Sequence, residues 1–347
     1  MLKQAIEQLI AGEQLSTEQA AEAMRDIMAG QASDAEIGGF LVAMRMRVET
    51  PEQIEGFARV MRENCIPIRA RSEDLVDTCG TGGDRLQTFN ISTLAGIVAA
   101  GAGARVAKHG NRSVSSRCGS ADVLAELGVN IDCTPEQVAD CIDDCGIGFL
   151  FAPNLHPAMR YAIGPRRSLG IRTVFNVLGP LTNPAGASRQ LLGVFGPDLT
   201  ETLAETLGRL GSVHALVVHG LDGLDELSTL GVTQVSELRD GRLNTYELTP
   251  EQFGFERVSA ADIAGGEPAE NAAIALAVLE ATPGPHRDIV IYNAGAAIYV
   301  SGHATSIDEG ITLAARSIDD GAAMGILKRL RALSGRGSEG DGDVDTH

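Results

Sequence analysis

The sequence predicts an α/β protein that carries a small helical domain at its N-terminus. Three observations carry that prediction. Residues 1 to about 68 show only helical spacing, and from about residue 74 short apolar runs alternate with helical stretches. The third is composition: 41 glycines, 4% aromatic residues and no tryptophan imply many tight turns around a core of Ala, Val, Leu and Ile. At 347 residues and 44% hydrophobic content the chain can build two domains and a large core.

Three capping boxes open the helical part: Ser16-Thr17-Glu18-Gln19, Ser33-Asp34-Ala35-Glu36 and Thr50-Pro51-Glu52-Gln53. Each precedes an apolar stripe at helical spacing, namely Met24, Ile27 and Met28, then Ile37, Phe40, Leu41 and Met44, then Ile54, Phe57 and Met61. Pro51 sits where proline helps start a helix. Helices this short need a surface to pack on, either the rest of the chain or a second subunit.

Strands are predicted at Leu75–Val76, Arg105–Ala107, Val129–Ile131, Gly148–Phe151, Leu191–Phe195, Val213–Val218 and Ile289–Tyr292. Helical stretches such as Ala95–Ala102 and Leu203–Leu210 separate them, which implies a sheet with helices on its faces and ligands at its carboxyl-end loops. The stretch His156–Ala185 interrupts the alternation. It reads as helical around Met159–Leu169, then as a turn-rich crossing at Gly179–Pro184, and so as a return to the helical domain. The domains expected are thus 1–70 with the returning segment near 156–185, then 71–333, then a disordered glycine- and acid-rich tail at 334–347.

A net charge of −18 argues against general nucleic-acid binding, because phosphate backbones need a basic surface. Any anionic ligand must meet a local cluster of positive charge, which screening over about 8 Å permits. The six cysteines form no CxxC pair and no zinc-site spacing. The N-terminus lacks the apolar core of a signal peptide, and no apolar run is long enough to span a membrane. The expectation is a reduced, cytoplasmic protein whose cysteines are inert apolar residues.

Four motifs carry chemistry. The first is Asp77-Thr-Cys-Gly-Thr-Gly-Gly-Asp84, whose glycines at 80, 82 and 83 let backbone N–H groups approach a ligand as an anion nest. Thr88, Asn90, Ile91, Ser92 and Thr93 follow at the start of a helix, where free amides and hydroxyls favour phosphate. This is neither a Walker loop nor GxGxxG, since Arg85 takes the last glycine position; a structural turn with an ordinary cap is the plainer reading. The second is Lys108-His-Gly-Asn-Arg-Ser-Val-Ser-Ser116 with Arg117 and Ser120 beyond, rich in cations and hydroxyls, either a phosphate loop or a solvated basic loop. The third, Asp225-Glu226 after a strand, suits Mg²⁺, though such pairs are common on surfaces. The fourth, Gly164-Pro-Arg-Arg-Ser168, either clamps a carboxylate or covers a helix face.

Together, CGTGGD, NIST, KHGNRSVSS, RR before NVLGPLTNPA, and DGLDE resemble the anthranilate phosphoribosyltransferase family, and the resemblance runs from residue 1 to about 333. It implies a nucleoside phosphorylase-like fold with a mixed, mainly parallel sheet, and a homodimer joined through the helices. Phosphoribosyl pyrophosphate would meet Gly80, Gly83, Asp84, Thr88, Asn90, Ile91, Ser92, Thr93, Lys108, His109, Gly110, Asn111, Arg112, Ser113, Val114, Ser115, Ser116 and Ser120. Anthranilate would meet Gly80, His109, Asn111 and Arg166, and Ser92, Asp225 and Glu226 would hold Mg²⁺. No residue stands out as a general base. The family carries an acidic residue after the paired arginines where Ser168 stands here. The implied reaction is transfer of the phosphoribosyl group to anthranilate in tryptophan biosynthesis, with association with anthranilate synthase components as a further implied partner. The alternatives are a pyrimidine nucleoside phosphorylase, in which the acidic pair has no clear purpose, and a non-catalytic relative that binds nucleic acid.

Overall fold

A computed structural model of the chain describes residues 1–83, 86–113 and 117–335. The chain opens with α1 (Leu2–Ile10), α2 (Thr17–Met28), α3 (Asp34–Arg45) and α4 (Pro51–Glu63). Ser16, Ser33 and Thr50 each accept a hydrogen bond from the amide three residues on, and Gln19, Glu36 and Gln53 reach back, so all three capping boxes form. The α/β part then runs β1 (Leu75–Asp77), α5 (Ile91–Gly101), β2 (Arg105–Gly110), α6 (Ser120–Glu126), α7 (Pro135–Cys145) and β3 (Ile147–Phe151). After α8 (Ala152–Leu155), the returning segment holds α9 (Arg160–Leu169) and α10 (Phe175–Leu178). Next come β4 (Arg189–Gly193), α11 (Asp198–Arg209), β5 (His214–Gly220), β6 (Thr233–Arg239) and β7 (Arg242–Leu248), and then α12 (Pro268–Leu279), α13 (Pro285–Ser301), α14 (Ile307–Asp319) and α15 (Ala322–Ser334).

The seven strands form one sheet in the order β3-β2-β1-β4-β5-β6-β7. The first five are parallel, and β6 and β7 run antiparallel to their neighbours. The sheet is therefore mixed and mainly parallel. Winding reverses between β1 and β4, which places a topological switch point at their carboxyl ends.

Side-chain alternation along the strands divides the core. Val76, Val106, Leu191, Leu216 and Val218 pack on the face covered by α5 and α13. Leu192, Val194, Ala215 and Val217 face the other way and join one core with α11 and the helices α1–α4. Ala162, Val174, Phe175, Val177 and Leu178 of the returning segment are buried in that same helical core, and α9 packs against α2 and α3.

Three sequence expectations are corrected, and one element is added. Val129–Ile131 forms no strand; Val129 and Ile131 are buried, and Asn130 is pinned to Ser334 instead of a ladder. Ile289–Tyr292 lies inside α13, which is buried on all sides, and a continuous apolar run does not distinguish buried helix from strand. The β6–β7 hairpin was not predicted, although Asp240-Gly241 at its tip, with φ of 50° and 74°, is a two-residue hairpin signal. Ser334 belongs to α15, not to a tail: it is buried, and its hydroxyl accepts from the Asn130 amide at 3.1 Å. Residues 336–347 of the expected tail lie outside the described residues. Among the described residues no helix is long and apolar enough to cross a membrane. None of the six cysteines is in a disulfide, and burial pushes each thiol pKa up, which keeps the thiols protonated.

Candidate active site at the sheet switch point

The loop after β1 is knitted to the end of β4. Thr81 N donates to the Gly193 carbonyl at 2.8 Å, and Phe195 N donates to Thr81 Oγ1 at 3.2 Å. The Asp225-Glu226 loop after β5 closes on the same spot. A Cβ at Gly193 would overlap the carbonyl oxygen of Asp225, and one at Gly80 would lie 3.5 Å from Asp225 Oδ2. Glycine is required at 193 because backbone meets backbone there. Asp225 and Glu226 both lie close enough to Cys79 for their charge to raise its thiol pKa. The glycine loop and the acidic pair are thus one site.

Beneath it sits Asp77, fully buried at the end of β1. Its Oδ1 accepts from Cys79 N at 3.0 Å and His109 N at 3.2 Å, and its Oδ2 from Asn183 Nδ2 at 2.7 Å. Burial pushes its pKa up to about 6, against the pull of Lys108 and of these donors. Desolvation likewise lifts Asp225 to about 6, opposed by the amides of Asp225 and Gly82 and by Arg172.

Lys108 does not extend into open space. Its side chain is 2% exposed, and Nζ donates to the Thr78 carbonyl at 3.2 Å, Thr78 Oγ1 at 3.3 Å and Ser92 Oγ at 3.4 Å. It ties β2 to the first loop and to the start of α5. Asn90 caps no amide; its Nδ2 donates to the Cys118 carbonyl and its Oδ1 accepts from Asn271 Nδ2, bracing both loops against α12. Ile91 is buried as the first residue of α5, Thr93 Oγ1 is buried without a partner among the described residues, and Thr88 forms a lone bridge with Ala264.

In the second loop, Asp122 is the organiser. Its carboxylate accepts from Ser113 N at 3.0 Å and Gly119 N at 2.9 Å and pairs with Arg112 Nη1 at 2.9 Å. Burial pushes its pKa up, but these three donors outweigh that and hold it below the usual range. Ser120 Oγ donates to the Asn111 carbonyl and accepts from its amide, both at 3.2 Å. Asn111 Oδ1 accepts from Arg112 N at 2.7 Å. Gly110 has no room for a side chain, since a Cβ would meet Ser120 and Phe149. Asp84 in the first loop, and Val114, Ser115 and Ser116 in the second, lie outside the described residues.

The His109 ring lies against Asp77 and Cys79 at the base of the first loop and meets the returning segment on its other side. Its Nδ1 lies 3.1 Å from the Gly179 carbonyl and its Nε2 3.2 Å from His156 Nε2. The carbonyl fixes the proton on Nδ1, so His156 Nε2–H donates to His109. Burial drives His109 down to about 3, helped by His156, and drives His156 down to about 4. Both rings are neutral. Arg166 is half-buried with its guanidinium 5.1 Å from the Phe175 ring centre, and burial lowers its pKa; Arg167 is exposed. No hydrogen bond joins Arg166 to Asn111 among the described residues.

Asp77, Cys79 and His109 form a three-group cluster of metal-ligating types. It does not suit Mg²⁺, which takes hard oxygen donors, because a protonated thiol is one member and the carboxylate and both imidazole nitrogens are already hydrogen-bonded. The carboxylates of Asp225 and Glu226 do suit it. Sequence reasoning overlooked Arg172, His156, Asn183 and Asp122. Asp122 is a capping-box residue, and Asn183 sits in the TNP turn, so both had a local signal. Arg172 and His156 had none.

A mixed, mainly parallel sheet with glycine-rich loops and an acidic pair meeting at its switch point, backed by a helical lobe, is an architecture suited to a group-transfer enzyme. Residues 72–324 match the glycosyl transferase family a/b domain, and residues 3–65 its helical bundle domain. The anthranilate phosphoribosyltransferase of Moorella thermoacetica is 55% identical over 332 residues, covering 96% of this chain and 98% of that one. That of Pelotomaculum thermopropionicum is 52% identical over 344 residues, covering 99% and 100%. The crystal structure of the Thermus thermophilus anthranilate phosphoribosyltransferase superposes with a TM-score of 0.91 at 47% identity, covering 95% and 99% of the two chains. The Saccharomyces cerevisiae enzyme in complex with PRPP and Mg gives 0.88 at 29% identity, covering 96% and 97%. The chain belongs to the anthranilate phosphoribosyltransferase family.

Proposed function

We propose that this chain transfers the phosphoribosyl group of 5-phosphoribosyl 1-pyrophosphate to the amine of anthranilate, giving N-(5-phosphoribosyl)anthranilate and pyrophosphate, in tryptophan biosynthesis. The observation that carries this reading is the meeting of the Gly80–Gly83 loop with Asp225 at the β1/β4 switch point, beside the loop organised by Asp122. Asp225 and Glu226 hold Mg²⁺ in this reading, with Ser92 Oγ the third oxygen. A magnesium ion held by these residues would supply positive charge to offset that of the pyrophosphate leaving group. The sugar phosphate and pyrophosphate take the amides and hydroxyls of Gly80, Gly83, Asp84, Thr88 and Asn90–Thr93, and of residues 108–116 and Ser120. Lys108 acts on the leaving group through Thr78 and Ser92, which it holds.

Departure of pyrophosphate leaves cationic character on the ribose C1, and the weakly basic aromatic amine attacks it. Orientation therefore matters more than deprotonation. Arg166 binds the anthranilate carboxylate, Gly80 and Asn111 line the amine side, and neutral His109 forms an apolar-tolerant wall. The helical unit, 1–70 with 156–185, supplies Arg166, and the 71–333 unit supplies the phosphate loops. Closure of one on the other excludes water.

Exposed Ile10, Val42, Met46, Val48 and Ile163 on or beside α1, α3 and α9 support a homodimer joined through the helical unit. A cytoplasmic setting, and association with the anthranilate synthase components that supply the substrate, complete the reading. Mixing the protein with Mg²⁺, phosphoribosyl pyrophosphate and anthranilate tests it: anthranilate fluorescence falls with turnover. Constant fluorescence together with phosphate-dependent cleavage of thymidine or uridine would sink it in favour of a nucleoside phosphorylase.

A further inference from the structure

Arg172 follows α9 on the returning segment, next to residues buried in the helical core: Val174 and Phe175 pack there, and Asn176 Oδ1 accepts the Thr173 amide at 2.9 Å. Its backbone is thus anchored in the helical lobe. Its side chain leaves that lobe. Nη2 donates to the Gly83 carbonyl, and the guanidinium lies 4.1 Å from the Phe195 ring centre. Phe195 in turn donates its amide to Thr81 Oγ1, so one cation touches both ends of the contact between the first loop and β4. Gly83 has φ +85°, which favours glycine, and a Cβ there would lie 2.9 Å from Arg172 Nη2, so the guanidinium packs directly on the turn. Among the described residues Arg172 makes no ion pair, although its charge is felt at Asp225. A planar, delocalised cation suits a site that needs stacking and a carbonyl acceptor together.

We propose that Arg172 is a positioning residue for phosphoribosyl pyrophosphate: a latch by which the helical lobe holds the Thr78–Gly83 loop in ligand-ready shape. The proposal rests on the substrate assignment above, but the latch itself is readable without substrate. Hydrogen exchange of the 78–83 segment in the ligand-free protein, together with KM for each substrate, tests it in Arg172→Gln and Arg172→Lys. Arg172→Gln is expected to speed exchange in 78–83 by about tenfold, with helices α1–α4 unchanged. It is expected to raise KM for phosphoribosyl pyrophosphate by about tenfold and that for anthranilate by no more than about twofold. Arg172→Lys, which keeps charge and a donor but loses the planar stack on Phe195, is expected to recover only part of both effects.

Unchanged exchange in 78–83, or faster exchange across the whole chain, would overturn the latch. Faster loop exchange with both KM values unchanged would overturn its role in substrate positioning. If the unaltered protein fails to consume anthranilate, the substrate assignment falls, and the exchange experiment still decides the latch.

Discussion

Asn183 Nδ2 donates to the carboxylate of Asp77 at 2.7 Å, joining the turn at the end of the returning segment to the floor of the site across 106 residues of sequence. A second donor bond from the same nitrogen goes to the Ala107 carbonyl at 2.8 Å. Asp77 is fully buried, so its charge depends on such donors. Asn183→Ala strips one of them and leaves the Ala107 carbonyl short as well. The expected loss is about 2–4 kcal/mol of unfolding free energy, read by urea titration. A loss under about 0.5 kcal/mol would show that other donors suffice.

The His109–His156 pair sets a pH dependence. Unfolded histidines take up protons near pH 6.5. In the folded chain burial holds them at about 3 and about 4. The unfolded state therefore binds more protons between those limits, and the pair's contribution to stability is lost as pH falls from about 6.5 toward 4. His156→Phe removes one such site. Between pH 7.5 and 5.0 the variant is expected to lose about 2 kcal/mol less than the parent, in urea titrations at both values. The raised pKa of Asp77 works in the opposite direction, but it is common to both proteins and cancels in the difference. Parallel slopes would place a charged imidazole in the folded pair.

Arg166 and Arg167 are neighbours in sequence but not in environment. Arg166 is half-buried over Phe175, while Arg167 is exposed. Arg166→Ala is expected to raise KM for anthranilate by more than about tenfold and to leave KM for the sugar substrate within about twofold. Arg167→Ala is expected to change neither. Equal rises in both KM values for Arg166→Ala would make it a structural residue of α9.

The acidic pair is tested together, since each carboxylate can partly cover for the other. Asp225→Asn with Glu226→Gln keeps the shape beside Gly80 and Gly193 and removes the charge. Turnover at millimolar Mg²⁺ is expected to fall by about 10² or more, with the folded state intact by circular dichroism. Unchanged kinetics would take the pair out of the site.

The helical lobe was legible because its signals are local. Ser16, Ser33 and Thr50 announce helix starts within four residues, and each is found capping. That the glycine loop and the acidic pair both sit at strand ends was legible, and the structure brings them together at Gly80, Gly193 and Asp225. What stayed hidden is whatever depends on distant pairing. Lys108 reads as a loop cation, yet its ammonium is consumed by Thr78 and Ser92. Arg172 and His156 owe their partners to the return of the chain, which no spacing encodes. Ile289–Tyr292 misled for a related reason: burial on all sides erases the helical period that would have distinguished it.

Asp122 gives the last prediction. One carboxylate holds Ser113 N, Gly119 N and Arg112 Nη1, so it closes the second loop from both ends and fixes the one loop cation it pairs with. Asp122→Ala frees both ends and leaves Arg112 to solvent. On the proposed assignment of this loop to the sugar substrate, the expected result is a KM for phosphoribosyl pyrophosphate raised by about tenfold, with KM for anthranilate nearly unchanged, because the loop loses its order. Asp122→Asn keeps one acceptor oxygen but loses the ionic partner of Arg112. It is expected to fall between alanine and the parent, and the gap from the parent should narrow as ionic strength rises, since the Arg112 pair is half-exposed and screened. A wild-type KM in both variants would mean that the loop keeps its shape through Ser120 and Asn111 alone.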